Sequence, residues 1–252
     1  MDDRSDKLFA ARLEDMTALC ERDGTAQFSS FLGERQCSVA ETWCRRNTGA
    51  LGYMLYGGYE DARRRILAVF PDYYADYITE EFPMKCLTFT YRTEDKLTHR
   101  DFLGSFMAQQ LKREVIGDIV VGEGVAQAFV TDVAARLIVS SVTKIGRVGV
   151  KLTDDEPFRL ENAQKFQEIS GTVASLRLDC AVGLAAHLSR EKAAVLIRSD
   201  KVDVNHFTVS SVSHELKEGD ILSVRGCGRF VLSRIDGSTK KGRIHINLRK
   251  YI

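Results

Sequence analysis

The sequence predicts an α+β fold, and three patterns along the chain carry this prediction. Apolar residues recur at helical spacing between residues 6 and 47. Strand-like and helix-like segments alternate between residues 84 and 151. The stretch from Arg177 to Phe230 then has the pattern of two short helices followed by a small sheet. We therefore expect a mainly helical N-terminal region (1–83), a middle domain (84–156), a linker (157–175) and a C-terminal domain (176–252).

The N-terminal region is expected to hold three helices and one strand. Two helices are expected within residues 6–47, and residues 53–56 are typical of a strand. A third helix is predicted to begin at Glu60 and to end before Pro71, because proline cannot continue a helix. This helix would carry three consecutive arginines at residues 63–65. We interpret them as a solvated basic face, with RNA contact as the alternative.

The middle domain has the element order βαββαβ, which is the split unit of ferredoxin-like folds. Gly122-Glu123-Gly124 joins two predicted strands, whereas a dinucleotide fingerprint needs a strand followed by a helix. We therefore predict a hairpin turn there. The strands are expected at residues 86–91, 116–121, 125–130 and 144–152, and the helices from residue 98 and at residues 131–140.

The chain lacks the motifs on which most catalytic sites depend. There is no Walker loop, no G-x-S-x-G and no H-E-x-x-H. The six cysteines are scattered without a C-x-x-C pair, so we expect buried free thiols and no metal site. No cofactor is expected, and we interpret the protein as a non-enzyme.

The segment Thr98-His99-Arg100-Asp101 is the one place where a catalytic carboxylate could be considered. In a kinase loop an asparagine follows the aspartate by five residues, but Phe106 stands at that position here. We interpret the segment as a helix start in which Thr98 caps and Asp101 meets the positive helix end. A polar surface that contacts RNA is the alternative.

The net charge of +1 conceals an asymmetry along the chain. Residues 177–252 contain 14 Lys or Arg against 8 Asp or Glu, and the rest contains 22 against 27. A basic end on a near-neutral protein suggests a polyanionic partner. No apolar run is long enough to cross a bilayer, and the N-terminus has no signal-peptide core, so we expect a cytoplasmic protein without a membrane partner.

The C-terminal stretch contains an ordered set of motif residues. They are Arg177-Leu178-Asp179, Ser189-Arg190, Ala193, Leu196-Ile197, Val202, Val204-Asn205, Gly219-Asp220, Ile221, Val224-Arg225-Gly226, Gly228 and Arg229-Phe230. At these positions the chain resembles the alpha-L RNA-binding domain, also called the S-four domain. Asp200 and His206 stand where that family commonly has glycine, and aspartate tolerates the left-handed backbone better than most residues.

This resemblance implies that the domain binds structured RNA by shape and phosphate contacts. Arg190 and Lys192 would meet phosphates from the first turns of the second helix, where backbone N–H groups also point outward. For Arg177 the alternative is a pair with Asp179 inside the domain. The predicted RNA-binding residues are Arg177, Ser189, Arg190, Lys192, Arg198, Lys201, Asn205, Arg225, Arg229 and Lys241.

The last strand has a basic and polar face of its own. Arg243, His245, Asn247 and Arg249 alternate with Ile244, Ile246 and Leu248. This alternation is typical of a strand over a core, and we interpret its polar face as a sheet edge that could track phosphates.

Four further strings extend the resemblance over nearly the whole chain. They are GGYEDARRRI (57–66), LTHRDFLGSFM (97–107), KREVIGDI (112–119) and KIGRVGV (144–150). Together with the C-terminal domain they resemble the YlmH-type family of bacterial ribosome-associated RNA binders. The resemblance implies binding to ribosomal RNA and tRNA on the large ribosomal subunit with peptidyl-tRNA, in ribosome-associated quality control. A link to cell division is a looser implication.

Two other functions compete with this interpretation. One is an RNA-modifying enzyme, of pseudouridine synthase or methyltransferase type, that uses the C-terminal domain as an RNA anchor. It would need a catalytic aspartate or a methyl-donor site in residues 1–160, and neither motif is present. The other is a protein-interaction adaptor that uses the acidic N-terminal half.

Overall fold

The computed structural model describes residues 3–154, 157–160, 166–238 and 242–251, and the fold is α+β as predicted. The chain divides into two compact units, Met1–Asn162 and Ala163–Ile252. The helices are α1 (Asp3–Asp23), α2 (Glu34–Asn47), α3 (His99–Ala108), α4 (Asp132–Ser141), α5 (Leu178–Ala185) and α6 (Arg190–Arg198).

The strands group into four antiparallel sheets, whose orders are β1-β3-β2, β5-β6-β4-β9, β7-β8 and β10-β15-β14-β13-β11-β12. The strands are β1 (Gln27–Phe28), β2 (Gly52–Tyr56), β3 (Ile66–Phe70), β4 (Met84–Thr90), β5 (Ile116–Val121), β6 (Val125–Thr131), β7 (Lys144–Ile145), β8 (Val148–Gly149), β9 (Lys151–Thr153), β10 (Phe166–Val173), β11 (Val202–Val204), β12 (Phe207–Thr208), β13 (Ile221–Val224), β14 (Gly228–Ser238) and β15 (Ile244–Tyr251).

The N-terminal region contains two helices and a sheet instead of three helices. The prediction of a helix from Glu60 is wrong, because the residues before Pro71 form the central strand β3. All five residues of β3 are buried. A short apolar run of this kind fits a buried strand as well as a buried helix, so periodicity alone could not decide.

The two faces of β3 connect the predicted N-terminal and middle regions. Leu67 and Val69 pack with residues of α1 and α2. Ile66 and Ala68 pack on the other side in a cluster that includes Phe129 of β6. A boundary at residue 83 therefore runs through a shared core, in keeping with a single unit up to residue 162.

The middle sheet has the ferredoxin-like order. Along the chain its strands come as β4, β5, β6 and β9, and in the sheet β6 and β4 are the two central strands. Helices α3 and α4 contribute Phe102, Phe106 and Ile138 to the core that covers it. The predicted last strand is broken, because β7 and β8 form a small hairpin and only β9 joins the sheet.

The C-terminal unit is a six-stranded antiparallel sheet with α5 and α6 in its core cluster. Part of the predicted linker is a strand of this sheet, since β10 pairs with β15 from Phe166↔Tyr251 to Val173↔Ile244. Gly171 allows β10 to approach α5, because a Cβ there would lie 2.5 Å from Leu184 Cδ1. The two helices thus rest on a sheet that begins before residue 176.

Candidate nucleic-acid interface

The exposed side of helix α6 carries two cations, Lys192 and Arg198, beside Glu191 and Val195. Ser189 is the N-cap, and its Oγ accepts a hydrogen bond from the backbone N–H of Lys192 at 3.3 Å. Ala193 and Ile197 are fully buried in the core. Lys192 and Arg198 are exposed, as the helical spacing predicts.

A buried carboxylate joins the starts of α5 and α6. Asp179 accepts hydrogen bonds from Arg177 Nε and Nη2, both at 3.1 Å, and from Arg190 Nε at 2.9 Å. The side chain of Asp179 is 5 % exposed, whereas those of Arg177 and Arg190 are 35 % and 58 % exposed. Both guanidinium groups are therefore fixed at one end and open to solvent at the other.

The ionisation of Asp179 follows from these contacts. Burial alone would raise the pKa of the carboxyl, but the hydrogen bonds from Arg177 and Arg190 and their positive charges lower it to about 2. Asp179 is thus ionised at neutral pH and holds two cations side by side. The predicted pair of Arg177 with Asp179 is confirmed, and Arg190 joins it.

Two of the predicted RNA-binding side chains serve the fold itself. The Ser189 hydroxyl caps α6, as described above. Asn205 Nδ2 donates to Asp220 Oδ1 at 2.8 Å, and Asn205 Oδ1 accepts from the Ile221 N–H at 2.9 Å. Asn205 therefore ties the β11–β12 turn to the start of β13.

The two positions that depart from the alpha-L glycine pattern adopt the backbone that glycine would have. Asp200 has φ of 54° and His206 has φ of 72°, both in the left-handed region. The predicted tolerance of Asp200 is confirmed. The departure at His206 also leaves the turn in place, since β11 and β12 pair across it.

The remaining predicted cations lie in different settings. Lys201 and Arg225 are exposed on adjacent turns, because the Arg225 N–H donates to the Lys201 carbonyl at 2.9 Å. Arg229 is half-buried, and its guanidinium carbon lies 4.9 Å from the centre of the Tyr251 ring. Lys241 lies outside the described residues.

The last strand, β15, does not lie at the edge of its sheet, so the interpretation of its polar face as a sheet edge is wrong. Strand β15 lies between β10 and β14. The side chains on this face pair across strands: Arg249 Nε donates to Glu168 Oε1 at 2.8 Å, and His245 Nδ1 lies 3.0 Å from Asp236 Oδ2. Arg249 is thus partly neutralised by a carboxylate on a neighbouring strand.

Two features of the first unit also have structural explanations. Thr98 donates to Asp101 Oδ2 from its backbone N–H at 2.8 Å and from its hydroxyl at 2.6 Å, which confirms the predicted helix cap. These hydrogen bonds lower the pKa of Asp101. The arginines at 63–65 do not form a helix face, because Arg64 turns inward to the carbonyls of Phe31 and Ile116.

Within the described ranges, no three His, Cys, Asp or Glu side chains come together as metal ligands. The six cysteines are free thiols, and burial raises the pKa of Cys37 and of Cys44 to about 11. Among the helices of the described residues, none combines the length and apolar character needed to span a bilayer.

The fold and the site define a two-unit α+β protein whose C-terminal unit presents oriented cations on two short helices. A family model described as "Putative RNA-binding domain in YlmH" matches residues 78–159. Over 204 residues, 79 % of this chain and 78 % of the relative, the sequence is 34 % identical to the "Ribosome-associated protein quality control protein P2" of Bacillus subtilis (strain 168).

A solved structure agrees with the fold. The "Cell division protein ylmH from Streptococcus pneumoniae" is similar with a TM-score of 0.51 and 22 % identity, over 62 % of this chain and 94 % of that chain. The chain belongs to the YlmH-type family. The resemblance found in the sequence is confirmed.

Proposed function

We propose that this protein is a non-enzymatic RNA-binding protein of the translation machinery. It binds ribosomal RNA and tRNA on the large ribosomal subunit with peptidyl-tRNA, and it acts in ribosome-associated quality control. The name of the Bacillus subtilis relative and the description of the matched family model support this proposal.

The observation that carries the proposal is the cation arrangement at the start of α5 and α6. Asp179 fixes Arg177 and Arg190, while Lys192 and Arg198 of α6 are exposed to solvent. Arginine and lysine held on an exposed helix contact phosphates and give binding with little dependence on sequence. Such a surface fits the backbone of a folded RNA, whose shape places phosphates close together.

Co-sedimentation with purified ribosomal subunits tests the proposal. The protein should pellet with the large subunit at low salt and leave it as the salt concentration rises, because phosphate contacts release counterions. Equal recovery with the small subunit, or binding that is insensitive to salt, would contradict it.

The non-enzymatic part has its own test. Ribosomal RNA and tRNA incubated with the protein, with and without S-adenosylmethionine, should show no new modified nucleoside by mass spectrometry. A modified nucleoside that forms with the natural protein and not with Asp101→Asn would favour the RNA-modifying enzyme instead.

A further inference from the structure

A cleft of about 550 Å³ opens in the first unit, far along the sequence from the α5–α6 surface. Helix α1 forms one side, the segment from β1 to α2 forms the floor, and the turn before β5 forms the other side. Phe31 and Leu32 lie in this floor and are only 2 % and 3 % exposed. The half-buried side chains of Phe9 and Met16 on α1 supply the apolar surface that is open to the cleft.

Positive charge predominates among the charged side chains that line this cleft. The cations come from α1, from the segment before β3 and from the turn before β5. Two carboxylates, Asp15 and Glu114, oppose them. The four cationic lining residues are Arg12, Arg64, Lys112 and Arg113.

Backbone carbonyls hold two of these cations in place. Arg64 Nε and Arg113 Nη1 both donate to the Ile116 carbonyl, at 2.8 and 2.7 Å. Arg64 Nη2 also donates to the carbonyls of Phe31 and Arg113, both at 3.0 Å, and Arg113 Nη1 donates to Gly117 at 3.2 Å. Arg64 Nη1 and Arg113 Nη2 make no hydrogen bond to the described residues, although each guanidinium has five donor hydrogens.

Arg64 and Arg113 therefore bring two positive charges to the same carbonyl oxygen, that of Ile116. Burial and, to a smaller extent, the charge of Arg64 lower the pKa of Arg113 to about 10, while Asp118 opposes both effects. Asp118 is shared, because it accepts hydrogen bonds from Tyr59 Oη at 2.9 Å and from the Arg63 N–H at 2.7 Å. The four cations of the lining outnumber its two carboxylates, even when Asp118 is added, which leaves positive charge for an anion.

We infer that this cleft is a phosphate-binding site for a nucleotide unit, in which Arg64 and Arg113 meet the phosphate and the half-buried side chains of Phe9 and Met16 meet the base. Guanidinium groups held in a fixed geometry match phosphate oxygens, and an apolar wall suits the face of a base. Arg12 and Lys112 at the rim would attract the anion. The phosphate can belong to an RNA strand or to a free mononucleotide.

Hydrogen-exchange mass spectrometry on the full chain tests the inference with three probes: a single-stranded RNA oligonucleotide, adenosine monophosphate and inorganic phosphate. Peptides that cover residues 27–36 and 109–118 should gain protection. Protection by RNA alone identifies a strand site, and protection by the mononucleotide as well identifies a nucleotide site. The inference is overturned if none of these probes protects the cleft, or if only an acidic peptide such as poly-glutamate does.

The test variant changes the rim residues Arg12 and Lys112, because a substitution at Arg64 would also disturb the fold. Arg12→Gln with Lys112→Gln should lower the affinity at the cleft by about tenfold or more, as expected for lost charged contacts. Arg22→Gln with Arg46→Gln, on exposed ends of α1 and α2, removes the same charge outside the cleft and should leave the affinity unchanged. Equal affinities for the two double variants would contradict the inference.

A variant of the α6 cations distinguishes binding at this cleft from binding at the proposed ribosome-binding surface. In a chain with Lys192→Gln and Arg198→Gln, the cleft peptides should still gain protection. Protection that disappears in this background would assign the effect to the C-terminal unit and refute a site in the cleft.

Discussion

The arginines of the two units have different bonding partners. In the first unit, Arg64 and Arg113 direct their guanidinium groups at backbone carbonyls and hold separate segments together. In the C-terminal unit, Arg177 and Arg190 share the carboxylate of Asp179 and remain open to solvent. The difference shows that the partner of an arginine, more than the local charge of the sequence, indicates how much the arginine contributes to the fold.

We expect the largest loss of stability for Arg64→Ala. This change removes three hydrogen bonds from a charged donor and leaves buried carbonyls of Phe31 and Ile116 with fewer partners. The free energy of unfolding of the first unit should fall by about 3 kcal/mol. Urea unfolding followed by the fluorescence of Trp43, the single tryptophan, reports on this unit.

The matched control is Arg46→Ala on the exposed end of α2, which should change that free energy by no more than about 0.5 kcal/mol. An equal effect of the two substitutions would remove the distinction between carbonyl-bound and solvent-exposed arginines.

A smaller loss is expected for Asp179→Asn. The amide keeps the shape of the side chain but loses the charge that fixes Arg177 and Arg190. Because both arginines are partly exposed, the cost should be about 2 kcal/mol, below that of breaking a fully buried ion pair. Hydrogen exchange of the α5 backbone measures this change. Undiminished protection of α5 would show that the carboxylate does not stabilise the unit.

The carboxylate of Asp179 also makes the stability of the C-terminal unit depend on pH. Its folded pKa of about 2 lies below the unfolded value of about 3.9, so its stabilisation is fully present above about pH 4 and is lost as the pH falls toward 2. The stability difference between the natural chain and Asp179→Asn should therefore shrink over this range. A difference that stays constant from neutral pH to about pH 2.5 would contradict the assignment.

Ser189→Ala is expected to have a smaller effect still. The substitution removes the N-cap hydrogen bond of α6 and should cost about 1 kcal/mol, seen as faster hydrogen exchange in the first turn of the helix. Ser189→Asn, another good N-cap, should restore the protection. If Ser189→Ala weakens RNA binding and leaves α6 exchange unchanged, the hydroxyl contacts RNA instead of capping the helix.

The sequence predicts the C-terminal helices well because their signals are local. A cap at Ser189, buried Ala193 and Ile197, and the turn at Asp200 all lie within a dozen residues and appear in the structure. The role of Arg64 could not be predicted in the same way. Arg64 binds the carbonyl of Ile116, 52 residues away, and periodicity contains no information on such a contact.

The missed strand β3 has a related cause. Its five buried residues show neither alternation nor helical spacing, because the strand is covered on both faces. The cleft could not be predicted from the sequence either, since α1, the segment between β1 and α2, the segment before β3 and the turn before β5 come together only after folding.

We propose that the exposed cations of α6 bind ribosomal RNA through its phosphates. The most direct measurement is the dissociation constant for large ribosomal subunits across a range of salt concentrations, for the natural chain and for Lys192→Gln with Arg198→Gln. Neither side chain has a partner among the described residues, so stability should change by less than about 0.5 kcal/mol. The affinity should fall, and the slope of its logarithm against the logarithm of salt should decrease by about two. An unchanged affinity and slope would show that α6 is not the RNA-binding surface.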